Sequence, residues 1–234
     1  MVYFRDSDII TKDDIRNFYL YSESNLTETT LNWRIHCLIK SEIIFSFARG
    51  KYMLRHTNTY LPAVSGRLLR LWAILKKRIT VSEYCLWETD IFKSFSSSIN
   101  AKNAIVLEVT KSKLRETFLL LSELKKPCMI NPSEEEMLFM RRHFRLPVFI
   151  FQLLRDAPLV VTKGIQVPAP EKIIVDLFVR PEIVELKKLN DIEKLIHDLG
   201  NVHTFNTSKV MRYAARRNKK NEISDLLKSL NNIV

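Results

Sequence analysis

Glycine is scarce in this chain, with only Gly50, Gly66, Gly164 and Gly200 among 234 residues. None stands in a glycine-rich phosphate loop, which excludes nucleotide cradling of the P-loop or dinucleotide kind. Cysteine is scarcer still. Cys37, Cys85 and Cys128 are far apart and odd in number, so they read as small apolar residues in a reducing cytoplasm and not as a disulfide framework. The five histidines, His36, His56, His143, His197 and His203, show no metal-ligand spacing with one another or with cysteine. No apolar run approaches the length of a membrane span. The opening residues, Met1-Val-Tyr-Phe-Arg-Asp6, lack the basic-then-apolar order of a secretory signal. These absences leave no expected metal, cofactor or membrane partner, and the expected location is the cytoplasm.

What is present argues for a folded protein. Hydrophobic residues make up 46% and aromatics 10%, and the length suffices for one large or two small domains with their own cores. The net charge is +11, unevenly placed. Residues 1–23 carry three cations and five anions, whereas residues 24–80 carry ten and two. Residues 81–200 balance, and residues 201–234 carry seven cations against two anions. Clustered basicity of this kind is an electrostatic footprint for a polyanion.

The first basic cluster coincides with a readable local pattern. Thr11-Lys-Asp-Asp14 is a capping-box-like helix start, with acids suited to the positive helix end. Ile15, Phe18 and Tyr19 follow at helical spacing, and Ser22–Asn25 ends the pattern. Thr27 or Thr29 can cap a second helix, in which Leu31, Ile35, Leu38 and Ile39 recur at offsets of three and four. Those four would face the first helix and leave Thr30, Asn32, Trp33, Arg34 and His36 outside. Trp33 reads as a core or interface residue. After Ser41 the period changes to that of a hairpin, Glu42–Phe47 and Lys51–Leu54, around a turn in which Gly50 can take positive φ.

Helix, turn, longer helix and hairpin form the order of a winged helix-turn-helix. Asn and Arg suit bidentate contacts to adenine and guanine edges, and Thr suits a thymine methyl or a phosphate. The expected double-stranded DNA contacts are therefore Thr30, Asn32, Arg34 and His36 in the major groove, with Arg49 and Lys51 of the hairpin on phosphate.

The same residues resemble a known family. Asn32-Trp-Arg-Ile-His-Cys-Leu-Ile-Lys40 and Ala48-Arg-Gly-Lys-Tyr-Met-Leu54 are similar to the N-terminal domain of AbiEi-like antitoxins of bacterial type IV toxin–antitoxin pairs. Val167-Pro-Ala-Pro-Glu-Lys-Ile-Ile-Val-Asp-Leu-Phe178 and Ser208-Lys-Val-Met-Arg-Tyr-Ala-Ala-Arg-Arg217 extend the likeness over most of the chain. The resemblance implies a protein that binds operator DNA, represses its own operon and has no catalytic role. Its implied partner is a nucleotidyltransferase-like toxin, counteracted without requiring a stable complex.

Beyond the hairpin, Thr57–Pro62 reads as a linker. Leu68, Leu71, Trp72, Ile74 and Leu75 then make a helix ending in Lys76-Lys-Arg78 that could bridge two domains. From about residue 80 strand-like and helix-like stretches alternate. Ser82–Glu88, Ala104–Val109, Pro127–Ile130 and Val148–Leu154 read as strands, and Leu159–Val161 as a short extra one. Ile91–Ser97, Ser112–Leu124 and Ser133–His143 read as helices between them. Val148-Phe-Ile-Phe-Gln-Leu-Leu154 is apolar enough to lie centrally, buried on both faces. The remainder reads as helices over Pro170–Phe178, Pro181–Lys187, Asp191–Leu199, Ser208–Arg217 and Asn221–Leu230. The fold class expected is α+β: a winged helix-turn-helix over 1–56, a linker and bridging helix over 57–80, and a mixed-sheet α/β domain with a helical C-terminus over 81–234.

Two other readings stay open. A metal-dependent nuclease would need carboxylates and a lysine on one sheet face. Glu83, Glu88, Asp90, Glu108 and Lys111 supply the types, but Glu108 and Lys111 are three apart and so point to opposite faces of a straight strand. Asp6-Ser-Asp8 has a metal-holding spacing without the Gly-Ser turn that should precede it. The second is a transcription regulator whose C-terminal domain senses a ligand or mediates dimerisation. Near the end, Lys209, Arg212 and Arg216, with Arg217 beside them, form a basic stripe for DNA, an acidic partner surface or water.

Overall fold

The computed structural model describes residues 9–41, 43–54, 60, 62–78, 84–94, 96, 102–186, 188–203 and 205–231. Asp6, Asp8, Glu83 and most of the expected linker lie outside these. The chain divides into two compact units, Met1–Thr59 with Thr204–Ser208, and Tyr60–His203 with Lys209–Val234.

In the first unit, strand β1 (Ile10–Thr11) leads into helices α1 (Lys12–Leu20) and α2 (Glu28–Lys40), then strands β2 (Ile44–Ala48) and β3 (Lys51–Leu54). Thr11 and Asp14 form a reciprocal capping box: Asp14 N–H donates to Thr11 Oγ1 at 3.1 Å and Thr11 N–H to Asp14 Oδ2 at 2.7 Å. Thr27 caps α2 by accepting from Thr30 N–H. Leu31 and Ile35 of α2 pack with Ile10, Ile15, Ile44 and Tyr52 into one small core. Strands β2 and β3 are antiparallel, and β1 pairs with the free edge of β3, so the sheet order is β1-β3-β2. Gly50 takes φ +73 in the turn, where a side chain would be strained although nothing lies within 4 Å.

The second unit is built on a four-stranded mixed sheet. Strands β4 (Tyr84–Glu88), β5 (Ile105–Val109), β6 (Cys128–Ile130) and β7 (Val148–Gln152) lie in the order β4-β5-β7-β6. β4 runs antiparallel to β5, while β7 is parallel to both β5 and β6. Parallel neighbours need crossovers, supplied by α4 (Leu114–Glu123) and α5 (Glu134–His143). Val148 to Phe151 are buried, in line with a near-continuous apolar strand inside a covered sheet.

Helix α3 (Gly66–Leu75) had the pattern of a bridge, but it packs within the second unit. Leu68, Leu71, Trp72 and Leu75 join the sheet residues Tyr84, Leu86, Leu107 and Ile150 in one core. Trp72 stacks on Tyr84 with ring centroids 4.0 Å apart. Half of the basic cluster between residues 24 and 80, from Arg67 to Arg78, therefore belongs to this unit.

A hairpin of β8 (Leu159–Thr162) and β9 (Ile165–Pro168) turns through Lys163 and Gly164, both at positive φ, as a two-residue turn between twisted strands requires. Helices α6 (Pro170–Val179), α7 (Leu189–Val202), α8 (Thr207–Arg216) and α9 (Lys220–Asn231) complete the unit's C-terminal part. Two expected helices are tighter where the structure describes them. Thr89–Ser94 and Pro181–Val184 are 3-10 turns, the second stopped by Glu185 in the left-handed region at φ 60. The architecture is mixed α+β with a helical C-terminus. Among the described residues no helix is long and apolar enough to cross a membrane.

Candidate functional site

Charge in the first unit is sorted by position. Lys12 and Arg16 of α1 both hydrogen-bond Glu28 at the start of α2, which holds that carboxyl below its usual range. Arg34 donates from Nη2 to both oxygens of Glu23 at 2.9 Å. Its guanidinium also lies over the Tyr19 ring, 4.4 Å from the centroid. The remaining described cations of the unit, Lys40, Arg49 and Lys51, are exposed and have no carboxylate partner among the described residues. Lys40 ends α2, and Arg49 and Lys51 flank Gly50 in the hairpin turn.

The six residues expected to meet DNA are thus placed differently from one another. Asn32, His36, Arg49 and Lys51 are exposed. Thr30 is half-buried, its hydroxyl 2.8 Å from that of Thr27, and serves the helix cap. Arg34 is tied to Glu23 and Tyr19, away from the exposed stripe of α2. Trp33 is 65% exposed and so is no core residue.

Arg34→Ala should therefore act on stability. Losing a partly exposed ion pair and a cation–π contact costs about 1 kcal/mol, read as a shift in the denaturant midpoint followed by circular dichroism. An unchanged midpoint with altered DNA sequence preference would return Arg34 to the reading set.

The second unit holds a buried ionic network that sequence reasoning did not assemble. Lys172 of α6 is fully buried and donates to Glu108 Oε1 of β5 at 2.6 Å and to Asp176 Oδ2 one turn along its own helix. Asp176 Oδ1 accepts from the Tyr213 hydroxyl at 3.1 Å and from Arg217 Nη2 at 2.7 Å. Arg217 Nε also donates to the Tyr213 oxygen at 3.2 Å. Two cations and two carboxylates leave the set formally neutral.

The two carboxylates respond oppositely. Burial pushes Glu108 up, and Lys172 opposes this without reversing it. Burial also works against Asp176, but Lys172 and Arg217 outweigh it and hold that carboxyl below its ordinary value. The difference follows from the contacts. Among the described residues Asp176 has three side-chain donors, whereas Glu108 has Lys172 on one oxygen and no hydrogen-bond partner on the other.

This arrangement corrects part of the expected C-terminal stripe. Lys209 and Arg212 are exposed, and Arg216 pairs with Asp156 at 3.0 Å on the surface. Arg217 turns inward, its side chain 7% exposed, and bonds Asp176 and Tyr213 within the network.

The described members of the nuclease set are not brought together either. Glu88 pairs with Arg67 at 3.3 Å and Asp90 with Lys93 at 2.7 Å. Glu108 is bound to Lys172, and Lys111 is exposed in the 3-10 turn after β5. Among the described residues no group of three histidines, cysteines or acids could hold a metal ion.

One signal for the network was available. Helix α6 is apolar nearly all round, with Ile173, Ile174, Val175 and Leu177 buried, and a helix of that kind is an interior helix. A lysine and an aspartate four apart on it must then find partners within the protein.

Fold and site together define a mixed α+β protein that joins a small hairpin-bearing unit to a sheet unit with a buried charge network. The chain belongs to DUF6577, a family of unknown function, whose profile matches residues 30–233. That span takes in nearly all of α2, the hairpin and the whole network. A comparison with curated proteins finds no match.

Proposed function

We propose that this chain is a DNA-binding antitoxin of the type IV kind. Its first unit would repress its own operon as a winged helix, and its second would counteract a nucleotidyltransferase-like toxin. The separation of charge in the first unit carries the DNA half of this reading. Residues 1–59 hold eight cations against seven anions, so net charge alone argues nothing. Placement does. Among the described residues Glu28 is held by Lys12 and Arg16 and Glu23 by Arg34, while Lys40, Arg49 and Lys51 have no carboxylate partner at the end of α2 and in the hairpin turn.

Such cations suit phosphate contacts, which fix register and orientation, and exposed polar groups on α2 suit base edges. The sheet order β1-β3-β2, with two helices between β1 and β2, supports the winged-helix reading. The antitoxin half rests on the resemblance to AbiEi-like proteins. Its two later stretches supply Lys172 and Asp176 from one and Tyr213 and Arg217 from the other, so the likeness falls on residues that bind each other.

Co-expression with the adjacent reading frame tests the antitoxin half. Expression of that neighbour alone should stop growth, and this chain should restore it. A harmless neighbour, or toxicity that persists in the presence of this chain, would overturn the reading.

A further inference from the structure

Helix α2 presents a second stripe besides the one that packs inward. At about 100° per residue, Leu31, Ile35 and Leu38 point to the core, and the opposite side carries Thr29, Trp33, His36 and Lys40. All four are exposed, at offsets of four, seven and eleven from Thr29. The stripe is about 16 Å long at 1.5 Å per residue, which matches about five base-pair steps of 3.4 Å. Arg34 lies off this stripe, toward α1, where Glu23 and Tyr19 hold it.

Trp33 sits at the centre of the stripe with 65% of its surface exposed. An indole exposed to this degree on the same stripe as a threonine, a histidine and a lysine presents a large apolar face to solvent. Lys40 on the helix and Arg49 and Lys51 on the hairpin are exposed cations of the same unit with no carboxylate partner among the described residues. A polyanion with apolar groups displayed in a helix-wide groove complements both features. Duplex DNA offers this combination, because thymine 5-methyl groups line its major groove between two phosphate strands.

We infer that Trp33 is the specificity-determining residue of α2, packing its indole on thymine methyl groups, with His36 donating to a neighbouring base edge and Lys40 to phosphate. This inference rests on the DNA-binding reading of the first unit. It moves sequence discrimination from Arg34 to Trp33 and identifies the preferred ligand as duplex containing thymine at the contacted steps.

The test uses the full chain and duplexes selected by it from a randomised pool. Replacing the thymines of a selected site with uracil removes only the 5-methyl groups. The wild-type chain should lose about fourfold in affinity per contacted methyl, the worth of one buried carbon. Trp33→Ala should bind thymine and uracil duplexes alike while keeping its affinity for unselected DNA, since the cations are untouched. Circular dichroism checks that α2 is intact, and Trp33→Phe should restore most of the thymine preference.

Full thymine discrimination retained by Trp33→Ala would overturn the inference and leave the DNA-binding reading standing. Loss of self-association in that variant, with DNA binding unchanged, would overturn it too and make Trp33 a contact between copies. Failure of the wild-type chain to bind any duplex would remove both.

Discussion

Replacing Asp176 with alanine is expected to destabilise the second unit by about 3–5 kcal/mol, the range for breaking a buried ion pair by removing one partner. Asp176 is 4% exposed and accepts from Lys172, Tyr213 and Arg217. Its removal leaves two cations inside the protein facing a single carboxylate, Glu108. Tyr213→Phe removes one donor to Asp176 and one acceptor for Arg217 but leaves both charges paired, so its cost should be lower, about 1–3 kcal/mol. Denaturant unfolding in a Trp33→Phe background reads this directly, because Trp72 and Trp87 then report on the second unit alone. Equal costs for Asp176→Ala and Tyr213→Phe would mean that hydrogen bonding and not charge holds the network.

The same residue gives acid unfolding a definite direction. Asp176 has a folded value below the ordinary 3.8, so its contribution is complete above that value and is lost as pH falls through the lowered one. Glu108 is raised above 4.5, so its contribution is present below 4.5 and declines as pH rises. Asp176→Asn should therefore flatten the loss of stability below about pH 4, measured by thermal unfolding across pH.

What the sequence made legible was mostly local. The Thr11–Asp14 capping box, the core periodicity of Leu31, Ile35 and Leu38 in α2, and the turn at Gly50 all depend on residues within a few positions of one another. The strands over Ile105–Val109 and Val148–Gln152 were readable because both are apolar runs of strand length. Strand β9 was not, because Gln166 and Pro168 interrupt its pattern and its pairing comes from the turn at Lys163 and Gly164.

Misplaced side chains have long-range causes. Arg34 looked like a groove residue because its offset puts it outside the core, yet Glu23 and Tyr19 of the preceding segment claim it. Arg217 looked like surface charge, and its partner Asp176 belongs to a different helix. Lysine is almost never fully buried without a partner, so Lys172 became intelligible only with Glu108 and Asp176 beside it.

Replacing Arg49 and Lys51 together with alanine should weaken duplex binding about tenfold or more at moderate salt, and equally for all sequences. Each lost phosphate contact removes about 0.9 from the slope of log K against log salt, so the double variant should be flatter by about 1.8. The fold should be unaffected. Both side chains are exposed, and neither has a carboxylate partner among the described residues.

The wild-type arm of that titration tests the central claim most directly. The full chain is mixed with duplex from upstream of its own reading frame over a range of salt, with a scrambled duplex as control. Lys40, Arg49 and Lys51 on phosphate predict a slope of about −2.7 and tighter binding to the upstream sequence than to the scrambled one. No binding, or equal and salt-independent affinity for both duplexes, would contradict the account.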